Sequence, residues 1–235
     1  MSFDLIRLLT PRRRRGIEFL DDPEVSPEVM ARAMADVELA NFLLGGTRAA
    51  LKELEPALGE LPTCATLLDV GTGTADIPAA ARTLAAKRGV TLRTIGFDLS
   101  PVLVERYRRR NDEVVRGNAL RLPFRDKSVE VVMCSQVLHH FPELEARELI
   151  AEMNRVARSR VVISDLRRSL IAAGGLWLAS FLLSFHSVSR HDGVVSIMRG
   201  FVPEELADLV RAGAGTTPAV HRRPGFRVTT SWKPE

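Results

Sequence analysis

The sequence predicts a doubly wound α/β fold, and three observations carry the prediction. Between residues 63 and 165, short apolar runs that end in Gly, Asp or Asn alternate with stretches of helical period. The first run, Thr66 to Val70, leads into Gly71-Thr72-Gly73 and then a helix start over Thr74 to Pro78. The chain closes on Ala219-Val220-His221 and Phe226 to Thr230 around Pro224-Gly225, which reads as a β-hairpin.

Taken in order, Phe3 to Leu9 is a short amphipathic segment, and the arginines Arg12 to Arg15 after it read as a solvated basic turn. Ser26-Pro27 opens a helix whose apolar face carries Met30, Ala33, Met34, Val37 and Leu44, and Gly45-Gly46 ends it. Thr47 to Leu58 is a second helix, with Asn41, Thr47 and Arg48 read first as helix capping and surface charge and second as contacts for a ligand carboxylate. The core then gives a strand to Val70, a helix from about Ala75 to Arg88, and a strand over Thr91 to Phe97 that delivers Asp98. A helix starts at Ser100-Pro101, and Val114 to Ala119 is a third strand with Asn118 at its end. Val129 to Cys134, apolar apart from Glu130, is a fourth strand, Glu143 to Ala157 a helix, and Arg160 to Ser164 a fifth strand ending at Asp165. Residues 1–62 are expected as an N-terminal helical cap and 63–235 as the main domain.

Ser169 to Ser189 carries no formal charge and includes Leu170, Trp177, Phe181, Leu182 and Phe185. Its length approaches that of a membrane span, about 20 apolar residues. Its glycines, serines and His186 favour instead a helical insert over 166–200, covering an apolar acceptor pocket. Peripheral membrane contact, helped by the N-terminal arginines, is the second reading. Pro203 starts a further short helix that ends near Gly213-Ala214-Gly215.

The strand ends specify the ligand. A dinucleotide fingerprint needs Gly-x-Gly-x-x-Gly with pyrophosphate at the helix N-terminus, but Asp76 holds the third glycine position and would repel phosphate. No Gly-Lys-Ser/Thr follows, so a P-loop is absent as well. A ligand with adenosine, no phosphate and a cationic end fits better, and S-adenosylmethionine has that character. Asp98 suits ribose hydroxyls, and Asn118 suits the adenine edge.

Leu68-Asp69-Val70-Gly71-Thr72-Gly73, Gly96-Phe97-Asp98-Leu99-Ser100, Gly117-Asn118-Ala119 and Cys134-Ser135-Gln136-Val137-Leu138-His139-His140-Phe141 together resemble the class I S-adenosylmethionine-dependent methyltransferases. The resemblance is nearest to small-molecule methyltransferases of the quinone-biosynthesis and natural-product O-methyltransferase kind. It covers residues 63 to 165 well. It implies a seven-stranded Rossmann-like sheet with a C-terminal antiparallel pair. Asp69 and the backbone of Gly71, Thr72 and Gly73 would hold the methionine end, Asp98 the ribose, and Leu99, Asn118 and Ala119 the adenine. Ser135 completes the expected cofactor set, and S-adenosylhomocysteine would be the product. Ala75 departs from a third family glycine, and Asn118 from a frequent Asp.

An oxygen acceptor gains from a base near neutral pKa. His139 and His140 follow the fourth strand, and Asp165 ends the fifth, where it could orient one imidazole. His191, in Arg190-His191-Asp192, is the further catalytic candidate. No Cys/His cluster has metal-ligand spacing, so no metal is expected. No Asn/Asp-Pro-Pro-Tyr/Phe motif follows the fourth strand, which argues against base N-methylation.

Composition sets outer bounds. At 235 residues with 46% hydrophobic content, one domain with an ample core is expected. The balance of 33 basic against 29 acidic residues is too small to argue for a nucleic-acid partner. Two cysteines, Cys64 and Cys134, form no disulfide framework, and a cytoplasmic setting is the reading. The expected activity is methylation of a small, partly apolar acceptor, most readily at oxygen. RNA or protein methylation and a non-catalytic S-adenosylmethionine-binding module are the alternatives.

Overall fold

A computed structural model describes residues 9–22 and 24–235, the side chain of Tyr107 apart; the predicted amphipathic segment thus lies, except for Leu9, outside the described residues. Its centre is one seven-stranded sheet in the order β3-β2-β1-β4-β5-β7-β6. The strands are β1 Cys64–Val70, β2 Thr91–Asp98, β3 Glu113–Arg116, β4 Val129–Ser135, β5 Ala157–Leu166, β6 Val220–Arg223 and β7 Arg227–Trp232. The first five run parallel, and β7 pairs antiparallel with both β5 and β6. Strand order reverses between β1 and β4, so their carboxyl ends open a crevice.

Among the described residues eight α-helices surround the sheet: α1 Pro27–Leu43, α2 Gly46–Leu58, α3 Asp76–Ala86, α4 Pro101–Tyr107, α5 Glu143–Val156, α6 Leu170–Leu182, α7 Ser187–Arg199 and α8 Pro203–Ala214. The predicted strand from Val129 is buried on both faces, as a central parallel strand must be, and its one charged residue, Glu130, accepts from Thr66 and Arg158. On one face Val132, Cys134, Val161 and Ile163 pack with Leu149 and Met153 of α5 and Leu206 and Val210 of α8. On the other, Leu67, Val131, Met133 and Val162 pack with Ala50, Leu54 and Leu58 of α2 and Ala81 of α3.

Local chemistry explains most boundaries. The Ser26 hydroxyl accepts from the Val29 amide to open α1, and Ser100 does the same for Leu103 in α4. Thr74, at the predicted helix start, does not cap α3. Ala75 occupies the N-cap position at φ 58°, and the Thr74 hydroxyl donates to Asp76 instead. The left-handed backbone at Ala75 accounts for the glycine frequent there in the resembled family.

The apolar stretch after β5 is two helices, not one. Ser184, at φ 53°, breaks the chain between α6 and α7. Among the described residues no helix is long and apolar enough to cross a membrane. α6 exposes Trp177, Leu178, Phe181 and Leu182.

The basic run is not a simple solvated turn either. Arg13 is half-buried, donates to the carbonyls of Arg199 and His139, and lies 4.3 Å from the centroid of the Phe201 ring. Residues 13 to 21 form a strap across α7 and the turn after β4. Its amides at Phe19 and Leu20 both donate to Asp192, at 2.9 Å each.

The hairpin is tied down by a residue the sequence reading passed over. Glu53 of α2 is buried and accepts from Arg223, Thr229 and Ser231, with His221 at 3.2 Å. Burial opposes its ionisation, but these partners prevail and hold the carboxyl below its ordinary range.

Candidate active site

The glycine turn leaves β1 and doubles back against β2. The amides of Gly71 and Thr72 both donate to the Phe97 carbonyl, and the Gly73 amide donates to Asp98 Oδ2 at 3.0 Å. All three turn amides are therefore used within the chain, and they make no phosphate cradle. A side chain at Gly71 would strike Val137, whereas a Cβ on Gly73, at φ 52°, would meet open space. The turn thus presents an unobstructed backbone surface at Gly73.

Two carboxylates flank it. Asp69 is buried in β1, and burial raises its pKa to about 7, opposed by the Thr72 hydroxyl and aided by the negative charges of Asp76 and Asp98. Asp98 also accepts from the Ser100 amide, at 2.9 Å. Burial pushes its pKa up against the backbone bonds from Ser100, Gly73 and Leu99. Leu99 beyond it is 66% exposed, an apolar platform at the tip of β2. Asn118 lies two residues past β3 instead of at its end, is exposed, and accepts from the Leu120 amide at 2.9 Å in a local turn. Ala119 follows it, half-buried. Ser135 ends β4, and its buried Oγ has no partner.

α1 and α2 close over this turn. Asp76 accepts from Thr47 and Asn41, and Gln136 donates to Asn41 Oδ1 at 2.5 Å. Asn41 and Thr47 are thus part of a polar bridge above β1, beyond the capping and surface role the sequence suggested. A cleft of about 440 Å³ opens beside it, bordered by Glu38, Phe42, Thr47 and Asp76.

The candidate bases separate clearly. His139 is buried, and its Nδ1 lies 2.7 Å from Asp165 Oδ1. Asp165 is buried as well and accepts from the amides of His139 and Leu166. Burial opposes its charge, but His139 and the Leu166 amide outweigh that and lower its pKa. An ionised Asp165 can only accept, so Nδ1 of His139 is the donor of this pair, and in the neutral ring the lone pair is at Nε2. That Nε2 is buried and has no hydrogen-bond partner.

His140 and His191 have other acids. His140 Nδ1 is 3.0 Å from Asp21, and burial of its ring is outweighed by Asp21 and Glu18, which raise its pKa. His191 sits on α7, contacts Asp192 at 2.8 Å and stacks on Phe19 with centroids 4.4 Å apart. The structure therefore gives Asp165 to His139, whose Nε2 also lies 4.0 Å from Glu18 Oε1 of the strap, and joins the other two histidines to the strap. His139 and His140 stack at 4.3 Å, and a cavity of about 80 Å³ beside them is lined by Arg13, Arg15 and Arg199.

Glu18, His139 and His140 offer ligand atoms within 4.8 Å of one another. The guanidinium of Arg199 already supplies a cation there, with Nη1 2.9 Å from Glu18 Oε1 and 3.3 Å from His140 Nδ1. Glu18, Asp21 and Arg199 were not singled out by the sequence reading. The adjacent Arg190-His191-Asp192 and the basic run Arg12 to Arg15 were the available signals, far apart in the chain.

A family described as "Methyltransferase domain" matches residues 68–163. A demethylmenaquinone methyltransferase of Roseiflexus sp. (strain RS-1) is 28% identical over 186 residues, covering 72% of this chain and 75% of the relative. A mouse protein named "Probable tRNA methyltransferase 9B" is 41% identical over 66 residues, 28% of this chain, which spans only 15% of that protein. Among solved structures, an O-methyltransferase from neocarzinostatin biosynthesis, in complex with S-adenosylmethionine and 2-hydroxy-5-methyl naphthoic acid, superposes with TM-score 0.63 at 18% identity, covering 93% of this chain and 61% of that one. Human N-acetylserotonin methyltransferase in complex with S-adenosylmethionine gives 0.61 at 10% identity, covering 88% and 56%.

Proposed function

We propose that this chain, which belongs to the class I S-adenosylmethionine-dependent methyltransferases, methylates an oxygen of a small, partly apolar acceptor such as a phenol, quinol or polyketide-like hydroxyl. The cofactor supplies a methyl group activated on a sulfonium. The residues present fit it: the turn amides are already satisfied, as suits a phosphate-free ligand, and Gly73 faces open space. In this reading Asp69 holds the cationic methionine end with the backbone at Gly71, Thr72 and Gly73. Asp98 takes the ribose hydroxyls, Leu99, Asn118 and Ala119 border the adenine, and Ser135 faces the methionine end.

The single observation that carries the oxygen reading is the buried, unpartnered Nε2 of His139, with Nδ1 fixed on Asp165. Such an imidazole accepts a hydroxyl proton at Nε2, and the charge it gains is balanced by the carboxylate behind it. His140 and His191 serve the strap in this reading, not proton transfer. The strap over residues 13 to 21 acts as a gate, since the present cavity holds two or three waters at about 30 Å³ each but no aromatic ring. α6, packed on α7, exposes Trp177 and Phe181, which suit a greasy acceptor or a membrane surface.

Support for the acceptor class comes from the quinone-methylating relative and the O-methyltransferase neighbour. The 66-residue match to the mouse tRNA methyltransferase favours RNA as a second reading. Inward docking of Arg13 weakens it, because that side chain is already engaged. A methyl-release screen over phenols, quinols and hydroxylated lipids tests the proposal. Turnover that depends on His139 supports it, and turnover only on tRNA, with strong salt dependence, contradicts it.

A further inference from the structure

Three polar side chains stand on one face of the sheet, at the edge where the candidate site lies, without the partners their burial requires. Val131, Met133 and Ser135 alternate onto the α2 face from β4, as do Val162, Ser164 and Leu166 from β5. Register sets Ser135 beside Ser164, Ser164 beside Thr229, and Leu166 beside Arg227. Thr229 and Ser231 reach Glu53 of α2 from that same face. Ser135, Ser164 and Arg227 therefore share it, on neighbouring strands roughly 4.8 Å apart.

Both serine hydroxyls are buried and unpartnered. Arg227 is 5% exposed, its Nε has no partner, and its Nη1 donates to the Gly225 carbonyl at 3.2 Å. Among the described residues no carboxylate lies within ion-pair distance of it. Burial draws its pKa down to about 10, and the negative charge that acts against this, Asp165, is committed to His139. The hairpin tip closes the site from above, where the Leu44 carbonyl occupies the position a Cβ on Gly225 would need.

A buried guanidinium without a counter-charge is unfavourable, and orphan hydroxyls beside it add to the cost. A carboxylate answers both, with one negative charge and up to four lone pairs for the guanidinium and hydroxyl donors. We infer that Arg227, with Ser135 and Ser164, forms a buried site for the carboxylate of a bound molecule. The inference rests on the reading of the crevice as the methyl-transfer site, and the carboxylate belongs either to the cofactor's methionine end or to the acceptor.

Calorimetric titrations of the full chain, wild type and Arg227→Met, separate the two sources. One arm compares S-adenosylmethionine with its decarboxylated form, and the other compares 1-hydroxy-2-naphthoate with 1-naphthol. The expected result is that, in one arm, Arg227→Met loses at least tenfold affinity for the carboxylate-bearing ligand and little for its partner. Loss in the first arm assigns the cofactor, and loss in the second assigns the acceptor. The paired variant Ser135→Ala with Ser164→Ala keeps the charge, is expected to weaken the same ligand several-fold, and serves if Arg227→Met does not fold. Equal affinities for all four ligands in the variants and wild type overturn the inference. Wild type that ignores S-adenosylmethionine but binds the naphthoate through Arg227 refutes the methyltransferase reading while leaving the carboxylate site standing.

Discussion

Asp165 holds His139 at two points: its Oδ1 lies 2.7 Å from the imidazole Nδ1, and its Oδ2 accepts from the His139 backbone amide at 3.2 Å. The ring and its own backbone are thus fixed by one buried carboxylate from the neighbouring strand. This two-point grip holds Nδ1 as the donor, and Nε2 lies 4.0 Å from Glu18 Oε1 of the strap.

The grip makes a specific kinetic prediction. His139→Gln should lower kcat by about 10² to 10⁴, the usual worth of a positioned general base, while the Kd for S-adenosylmethionine stays within about twofold of wild type, a difference of under 1 kcal/mol. Asp165→Asn should fall in the same direction because the amide no longer fixes Nδ1–H. His140→Ala should cost far less. Single-turnover rates with a saturating phenolic acceptor check all three, and equal losses for His139 and His140 would contradict the assignment.

Asp69 predicts a pH dependence for cofactor binding. Its folded pKa is raised by burial to about 7, so the folded protein keeps a proton that the unfolded chain has released. Stability contributed by this group is therefore present at low pH and lost as pH rises from about 4 to the raised value. Holding a cationic methionine end requires the carboxylate, so S-adenosylmethionine affinity should rise up to tenfold per unit from about pH 5 to about pH 7 and then level. Calorimetry in two buffers of different ionisation enthalpy should register proton release on binding. Asp69→Asn should remove the pH dependence and bind weakly throughout.

Much of this was legible in the sequence because it is local. The strand, glycine turn and helix order from residue 63 to residue 165 follows from apolar runs and turn residues, and the observed strand order matches the doubly wound expectation. Asp98 beside the Gly73 amide and Asp165 beside His139 were readable for the same reason, since adjacent parallel strands place their carboxyl ends together. Long-range polar pairing was not readable. Which acid meets His140, what Asp192 caps, and why Glu53 is buried depend on residues 119, 172 and 170 positions away, and no period in the chain encodes such pairs. The split between α6 and α7 was missed because a serine at φ 53° carries no strong turn signal.

Glu53 predicts a stability effect remote from the cofactor. Glu53→Gln keeps its volume but weakens the bonds to Arg223, Thr229 and Ser231, and the loss should be about 2 kcal/mol, as for charged hydrogen bonds. Urea unfolding should show it as a lower midpoint with unchanged slope. A midpoint equal to wild type would mean the hairpin is held by its packing alone.

The strap supplies a local counterpart. Arg199 donates to Gly16, Glu18 and Asp21, and Arg199→Met leaves the buried Glu18 carboxylate without its guanidinium, with the Ser196 hydroxyl as its remaining donor. The strap should weaken by about 3 kcal/mol, the scale for breaking a buried pair. Hydrogen exchange at residues 14 to 21 should quicken far more than exchange in β4. His140 adds a pH effect of definite sign. Its folded pKa is raised by Asp21 and Glu18 against burial, so its contribution is present below the unfolded value and lost as pH climbs through the raised one. Strap amides should therefore exchange faster, relative to β4, at alkaline pH.

The central claim is that S-adenosylmethionine lies across the ends of β1 and β2, with its ribose on Asp98. Calorimetric titration of the wild type and of Asp98→Ala measures this most directly. A micromolar Kd that weakens at least tenfold in Asp98→Ala is the predicted result. No heat of binding in the wild type, or equal affinity in the two proteins, would contradict it.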